Sequence, residues 1–268
     1  MTTTTRTMPA AASEGGLRWA LHDSFVMTRR NLLRYVRLPE NLVGLTVQPV
    51  MFLLLFTYVL GGAMSVTTPD YITFLLPGIL VQTVVFGAFA TALGLAQDAQ
   101  SGLFDRFRSL PIARSAVIVG RLTADLLADI FVAALMIGVG YLIGFRFGGT
   151  LLESIASPAI AILFALPIAG LFAAIGLTAR SVESVNVIGF VAIFPITFIS
   201  SAFVPVESMP GWLQPVADNN PFTHAVNASR ALALGQNSDG AVLATLIWAA
   251  ILLVIAIPLG VRAYNRPR

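Results

Sequence analysis

The chain has 268 residues, 57% of them hydrophobic and 11% charged, with a mean hydropathy of +0.84. Soluble domains carry about 25% charged residues, so this composition excludes an ordinary water-soluble globule and describes a chain whose main solvent is lipid. Cysteine is absent and His22 and His224 are the only histidines, which excludes disulfides, thiolate metal centres and His-rich metal sites.

Residues 1–16 are small and polar and read as a disordered tail without the apolar core of a signal peptide. Residues 17–39 follow an amphipathic pattern, with Leu17, Leu21, Phe25, Leu32 and Val36 near helical spacing and Arg18, Arg29, Arg30, Arg34 and Arg37 mostly elsewhere. Such a helix lies in the membrane interface, with its apolar side in the acyl boundary and its Arg side toward headgroups. Pro39 ends it.

Residues 40–268 read as a six-helix transmembrane domain. Stretches 41–69, 71–97, 154–179, 184–206 and 240–261 contain no Asp, Glu or Arg, and a membrane-spanning helix needs about 20 residues. The first span covers about 42–64 and includes Gln48, Pro49, Phe52 and Phe56; the second covers about 71–97 and includes Pro77, Gly78 and Gln82. Between the second and third spans, Ser101 can cap a short helix over Gly102, Leu103, Phe104, Asp105, Arg106, Phe107 and Arg108, which Pro111 stops. Leu103, Phe104 and Phe107 give it an apolar ridge suited to a partner's groove; a plain interfacial loop has the same composition.

The third span, about 115–145, carries Arg121, Asp125 and Asp129 at i, i+4 and i+8 on one face. Ionisable groups inside a span are functional by default, as a proton or cation site. The structural alternative is an Arg121–Asp125 pair with Asp129 bonded to a neighbouring helix.

Spans four and five, about 154–179 and 184–205, are joined by the turn from Arg180 to Glu183. Phe190, Phe194 and Phe198 recur every fourth residue in span five and, with Phe52 and Phe56, either line a hydrophobic substrate path or pack helices and face lipid. A Pro-rich segment from Pro205 to Gly240 then offers two short helices, one after Ser208 and one capped by Asn220 with Pro221 at its first position and Gly235 as its stop. Asn220, Pro221, Thr223 and Arg230 are the candidate residues of this second helix. The sixth span covers about 241–261.

All 16 basic residues are Arg. With both termini inside, only Arg146 and Arg230 fall outside, which sets the orientation by the positive-inside rule. Cytoplasmic Arg facing anionic lipid accounts for the net charge of +3 without a nucleic-acid partner. Without Lys there is no phosphate-cradling GxxxxGK[ST] loop, and no Ser-His-Asp set, HExxH or G-x-S-x-G motif is present, so the chain has no visible catalytic or metal centre of its own.

Two stretches, SGLFDRFRSLPIARSAVIVGR from Ser101 and NNPFTHAVNASRALALG from Asn219, resemble the permease subunits of type-2 ATP-binding-cassette exporters, particularly the daunorubicin-resistance type. Length, hydropathy layout and the N-terminal interfacial helix agree over nearly the whole chain. The resemblance implies a bacterial cytoplasmic-membrane protein exporting amphiphilic drugs or lipids. It implies two copies of a separate ATPase that binds ATP and Mg, a second permease copy, and Ser101 to Arg108 as the coupling helix. The alternatives are a polysaccharide or lipid-linked glycan exporter and, in another class, a proton-coupled secondary transporter using Asp125 and Asp129.

Overall fold

In the computed structural model, residues 17–37, 39–64, 71–103 and 114–265 are described, and among them the chain is helical without a strand. Four helices are long and apolar enough to cross a membrane: α4 (Tyr71–Gln100), α5 (Arg114–Leu142), α6 (Leu151–Thr178) and α10 (Asp239–Asn265). Two shorter apolar helices accompany them. One is α2 (Pro39–Leu55), which continues through a π-helical turn at Phe56–Leu60 into α3 (Gly61–Met64); the other is α7 (Val182–Phe198). Among the described residues, the N-terminal α1 (Leu17–Arg37), a 3-10 turn at Val206–Ser208 and two short helices before α10, α8 (Gln214–Asp218) and α9 (Pro221–Leu234), are the remaining helical elements.

Lipid offers the backbone no hydrogen-bond partners, so each apolar run closes its own bonds as a helix. Helices then associate through close packing of small residues rather than through the hydrophobic effect. α4 is the hub: Ala88, Ala92 and Ala96 on it are buried against Ala169 and Phe172 of α6 and Val185 and Ile193 of α7. Its central stretch is 67% buried, against 17% for α10, which packs mainly on α6 and leaves the rest of its surface outward. Leu75, Leu76, Ile79 and Leu80 of α4 form the second half of the core with Met136 of α5, Phe164 of α6 and Phe222 of α9. α1 packs chiefly along α5.

The helix ends follow local chemistry. Thr150 and Glu153 make a reciprocal capping box at the start of α6. Ser181 caps α7, which ends at Phe198 just after Pro195, well before the position 205 expected from charge spacing alone. From Ile199 the chain turns under α9 instead of continuing a span. α9 has Asn220 at its N-cap, Pro221 in its first turn, and Gly235 at its C-cap with φ +65°, the left-handed conformation that favours glycine.

Candidate functional site: two buried polar networks and an aromatic track

The first network lies where α1, α4 and α5 meet. Arg121 Nε donates to Asp125 Oδ2 at 3.0 Å, the i, i+4 pair that a helix brings onto one face. The same carboxylate accepts the Tyr35 phenol of α1 on Oδ1 at 2.8 Å and the Thr91 hydroxyl of α4 on Oδ2 at 2.5 Å. Arg121 Nη2 donates to the Ala90 carbonyl at 3.3 Å. Arg121 and Asp125 are each 7% exposed, so one acid holds three helices together out of water. Burial first, and then the Asp125 charge, push the Tyr35 phenol well above its ordinary range and keep it a donor.

Two glycines of α4 admit the α5 side chains. A methyl group at Gly94 would lie 2.4 Å from Arg121 Nη1, and one at Gly87 would lie 2.6 Å from Asp129 Oδ1. Asp129 has no hydrogen-bond partner among the described residues. It borders, with Asp125 and Thr91, a void of about 10 Å³ whose remaining walls include Val84, Ala88 and Ala165. That is room for about one water.

The ends of α1 and α4 are tied separately. Arg34 donates to Asp98 Oδ1 and Gln97 Oε1, each at 2.9 Å, and Arg30 lies 3.9 Å from the same Asp98 oxygen. The chain then leaves α4 through Ser101, whose hydroxyl donates to the Asp98 carbonyl, and Gly102 at φ +69°. Of the segment expected to contact a partner, Ser101, Gly102 and Leu103 are described, and they follow this clamp in the chain. Phe104, Asp105, Arg106, Phe107 and Arg108 lie outside the described residues.

The second network lies at the opposite end, under α9. Asn220 Oδ1 caps α9 by accepting from the Phe222 amide, while its Nδ2 donates to the carbonyls of Ile196 and Ile199 at the end of α7. One side chain therefore terminates two helices. Arg230 donates to the carbonyls of Phe74 and Ser201 at 3.0 and 2.7 Å and to Asn227 Oδ1 at 3.2 Å, with its guanidinium 3.6 Å from the Phe74 ring centre. Thr223 Oγ1 accepts from the Ser201 amide. Arg230 has no acidic partner among the described residues.

The five Phe residues singled out in the sequence fall on one track. Phe190, Phe194 and Phe198 stack along α7 with ring centres 4.6 and 5.3 Å apart. Phe203, beyond the helix, bridges Phe198 at 4.9 Å to Phe56 at 4.7 Å, and Phe56 stacks on Phe52. At the other end Phe190 and Phe194 meet Phe89 and Phe86 of α4 edge-on. Phe190 and Phe198 are 54% and 43% exposed, so the track presents a side to its surroundings. Sequence spacing finds the α7 stripe; Phe203, Phe86 and Phe89 join it only through tertiary contact. Tyr35, Thr91 and Gly94 carry no comparable sequence signal: α4 holds Thr73, Thr83 and Thr91, and only the fold shows that Thr91 is the one that meets Asp125.

The family model described as ABC-2 type transporter matches residues 23–234. The chain is similar to the daunorubicin resistance ABC transporter permease protein DrrB1 of Streptomyces coeruleorubidus, 34% identical over 260 residues that span 97% of this chain and 92% of that one. It is similar to the probable doxorubicin resistance ABC transporter permease protein DrrC of Mycobacterium tuberculosis strain H37Rv, 29% identical over 259 residues, 95% of this chain and 92% of the other. It also matches the probable multidrug ABC transporter permease YbhR of Escherichia coli K12, 26% identical over 203 residues, 73% of this chain and 52% of that one.

Proposed function

Because the chain belongs to the ABC-2 type transporter family, as the membrane permease subunit of an ATP-driven exporter, we propose that it exports amphiphilic drugs or lipids along the aromatic track of α2 and α7. The continuous stack from Phe52 through Phe203 to Phe190 carries this reading: its rings offer flat apolar faces to a planar cargo, and aromatic pairs gain about 0.5–1.5 kcal/mol beyond area burial. The names of the relatives point the same way.

In this reading ATP and Mg are bound by a partner ATPase, two copies of which serve two permease copies, since six spans make half a pathway. Both termini face the cytoplasm of a bacterium, and the protein crosses the inner membrane six times. The segment from Ser101 to Arg108 is the coupling helix, with Leu103, Phe104 and Phe107 as anchors and Arg106 and Arg108 at the rim. Its place directly after the Arg34–Asp98 clamp supports this, because a push on the segment acts on the ends of α1 and α4 together.

The test is co-purification with the ATPase and measurement of its hydrolysis with and without daunorubicin. Phe104→Ala or Phe107→Ala should detach or uncouple the ATPase, as truncating a buried aromatic anchor costs about 2 kcal/mol or more. Phe194→Ala should leave the complex intact and lose the stimulation by daunorubicin. A Phe194→Ala complex that retains full stimulation would remove the track from the pathway. Stimulation by a lipid-linked glycan instead of daunorubicin would favour the glycan exporter.

A further inference from the structure

α1 turns a second side away from the protein, and that side is built unlike a water-facing surface. Trp19, Val26, Leu33 and Arg37 fall on one line of the helix, at intervals of seven, seven and four residues. Arg29, Arg30 and Arg34 flank that line, and with Val26, Leu33 and Arg37 they form an open groove of about 440 Å³. Its floor is apolar and its rim is guanidinium. Trp19, Phe25 and Val36 beside it are 62%, 67% and 69% exposed.

Among the described residues, Asp98 is the carboxylate seen to engage the groove. Asp98 engages Arg34 and lies 3.9 Å from Arg30, whereas Arg29 and Arg37 are exposed and have no ion-pair partner among the described residues. The groove therefore carries an excess of positive charge above an apolar floor. Its depth follows from the same clamp. Asp98 sits two residues before the end of the 30-residue α4, a helix about 45 Å long at 1.5 Å per residue, against a hydrocarbon layer of about 30 Å. The clamp thus holds the groove at headgroup level.

We infer that this groove is a headgroup site for an anionic phospholipid, with Arg29 and Arg37 taking the phosphate and Val26 and Leu33 taking the first acyl carbons. An acidic protein surface would satisfy the guanidiniums but leave Trp19, Phe25 and Val36 in water; a phospholipid satisfies both halves of the face. The inference rests on the reading that α1 lies at the cytoplasmic membrane surface. The site shares no residue with the aromatic track or with the segment assigned to the ATPase, so it fills with or without cargo.

The experiment uses the purified full chain in neutral detergent, with native mass spectrometry counting retained lipid after addition of phosphatidylglycerol or phosphatidylcholine. Wild type should retain phosphatidylglycerol in preference to phosphatidylcholine. Arg29→Gln with Arg37→Gln should weaken that retention roughly thirtyfold, two surface guanidinium contributions acting together. Arg29→Lys with Arg37→Lys should largely restore it, which separates loss of charge from loss of fold. Equal retention by wild type and the double Gln variant would overturn the site. Displacement of the lipid by inorganic phosphate at matched concentration would identify a free-anion site and overturn the lipid assignment. Co-purification with the ATPase, measured on the same variants, should be unchanged. If the Gln variant loses the ATPase while holding phosphatidylglycerol, the groove belongs to the ATPase. If the ATPase never binds any form of the chain while lipid retention behaves as expected, the transport reading fails and the lipid site stands.

Discussion

The two ends of the bundle bury charge in opposite ways. At one end Arg121 is matched by Asp125, and the acid is shared with a phenol from α1 and a hydroxyl from α4. At the other end Arg230 has no acid beside it among the described residues and is held by the carbonyls of Phe74 and Ser201, while Asn220 holds those of Ile196 and Ile199. Contacts between side chains exchange partners by rotamer changes. Contacts to helix-end carbonyls are lost only when the backbone itself moves. The α9 end is therefore built as a fixed cap, whereas the α1 end is a junction whose helices can shift by re-pairing.

The largest effect should come from the acid of that junction. Asp125→Asn preserves shape but leaves the Arg121 guanidinium buried without its countercharge, and breaking such a pair from one side costs about 3–5 kcal/mol. Thermal unfolding in detergent should show a large drop in midpoint and in the yield of folded protein. Asp129→Asn, one turn away and without a hydrogen-bond partner among the described residues, should change stability far less. Equal losses from the two substitutions would mean that the two acids act as one unit. Near-native folding of Asp125→Asn, with an altered pH dependence of transport, would revive the proton-site alternative.

The next effect tests the cap. Asn220→Ala removes the N-cap of α9 and strands two carbonyls of α7, with an expected cost of about 2–3 kcal/mol when capping and unsatisfied-acceptor terms are combined. Since the cap is a main-chain structure, Asn220→Asp should rescue it poorly: a carboxylate can accept from the Phe222 amide but cannot donate to Ile196 and Ile199. Rescue by Asp would show that only the α9 cap matters and that the tie to α7 is incidental. Unfolding midpoints of the two variants against wild type decide between these outcomes.

What could be read from the sequence divides along the same line. The helical spans, the Arg121–Asp125 spacing and the caps of α9 are local patterns, set by residues within a few positions of each other. The partners that complete each network are not local: Tyr35 is 90 residues from Asp125, and Phe74 is 156 from Arg230. Charge spacing also overran the end of α7, because uncharged residues continue to 206 while Pro195 and the Asn220 contacts stop the helix at Phe198. The Phe stripe at i, i+4 was visible, but its continuation through Phe203 depends on that early stop.

Two glycine contacts distinguish the cap from the junction, with a smaller expected effect. A methyl at Gly78 would lie 2.2 Å from the Ala202 carbonyl oxygen, and one at Gly94 would lie 2.4 Å from Arg121 Nη1. Overpacking typically costs about 1–3 kcal/mol. Gly78→Ala should fall at the upper end, because its neighbour is backbone of the fixed cap. Gly94→Ala should fall at the lower end, because a guanidinium tip can rotate. Equal unfolding midpoints for the two variants would show that the junction is as rigid as the cap.

The smallest effect is the most diagnostic for how α1 joins the bundle. Tyr35→Phe deletes one hydroxyl and keeps the ring, so Asp125 retains Arg121 and Thr91 and loses a single donor. A hydrogen bond to a charged group contributes about 1.5–3 kcal/mol, but the remaining donors and a water entering the vacated position offset part of it, leaving an expected loss of about 1 kcal/mol. The consequence should therefore be local. Hydrogen exchange should quicken along α1, while the amides of α4 and α6 keep their protection, because α1 would still be clamped at Arg34 but no longer pinned one residue further on. If exchange instead rises throughout α4, the phenol is integral to the core rather than a fastening of α1. If it rises nowhere, the Arg34–Asp98 clamp alone holds the helix, and the junction has one fixed point where the geometry shows two.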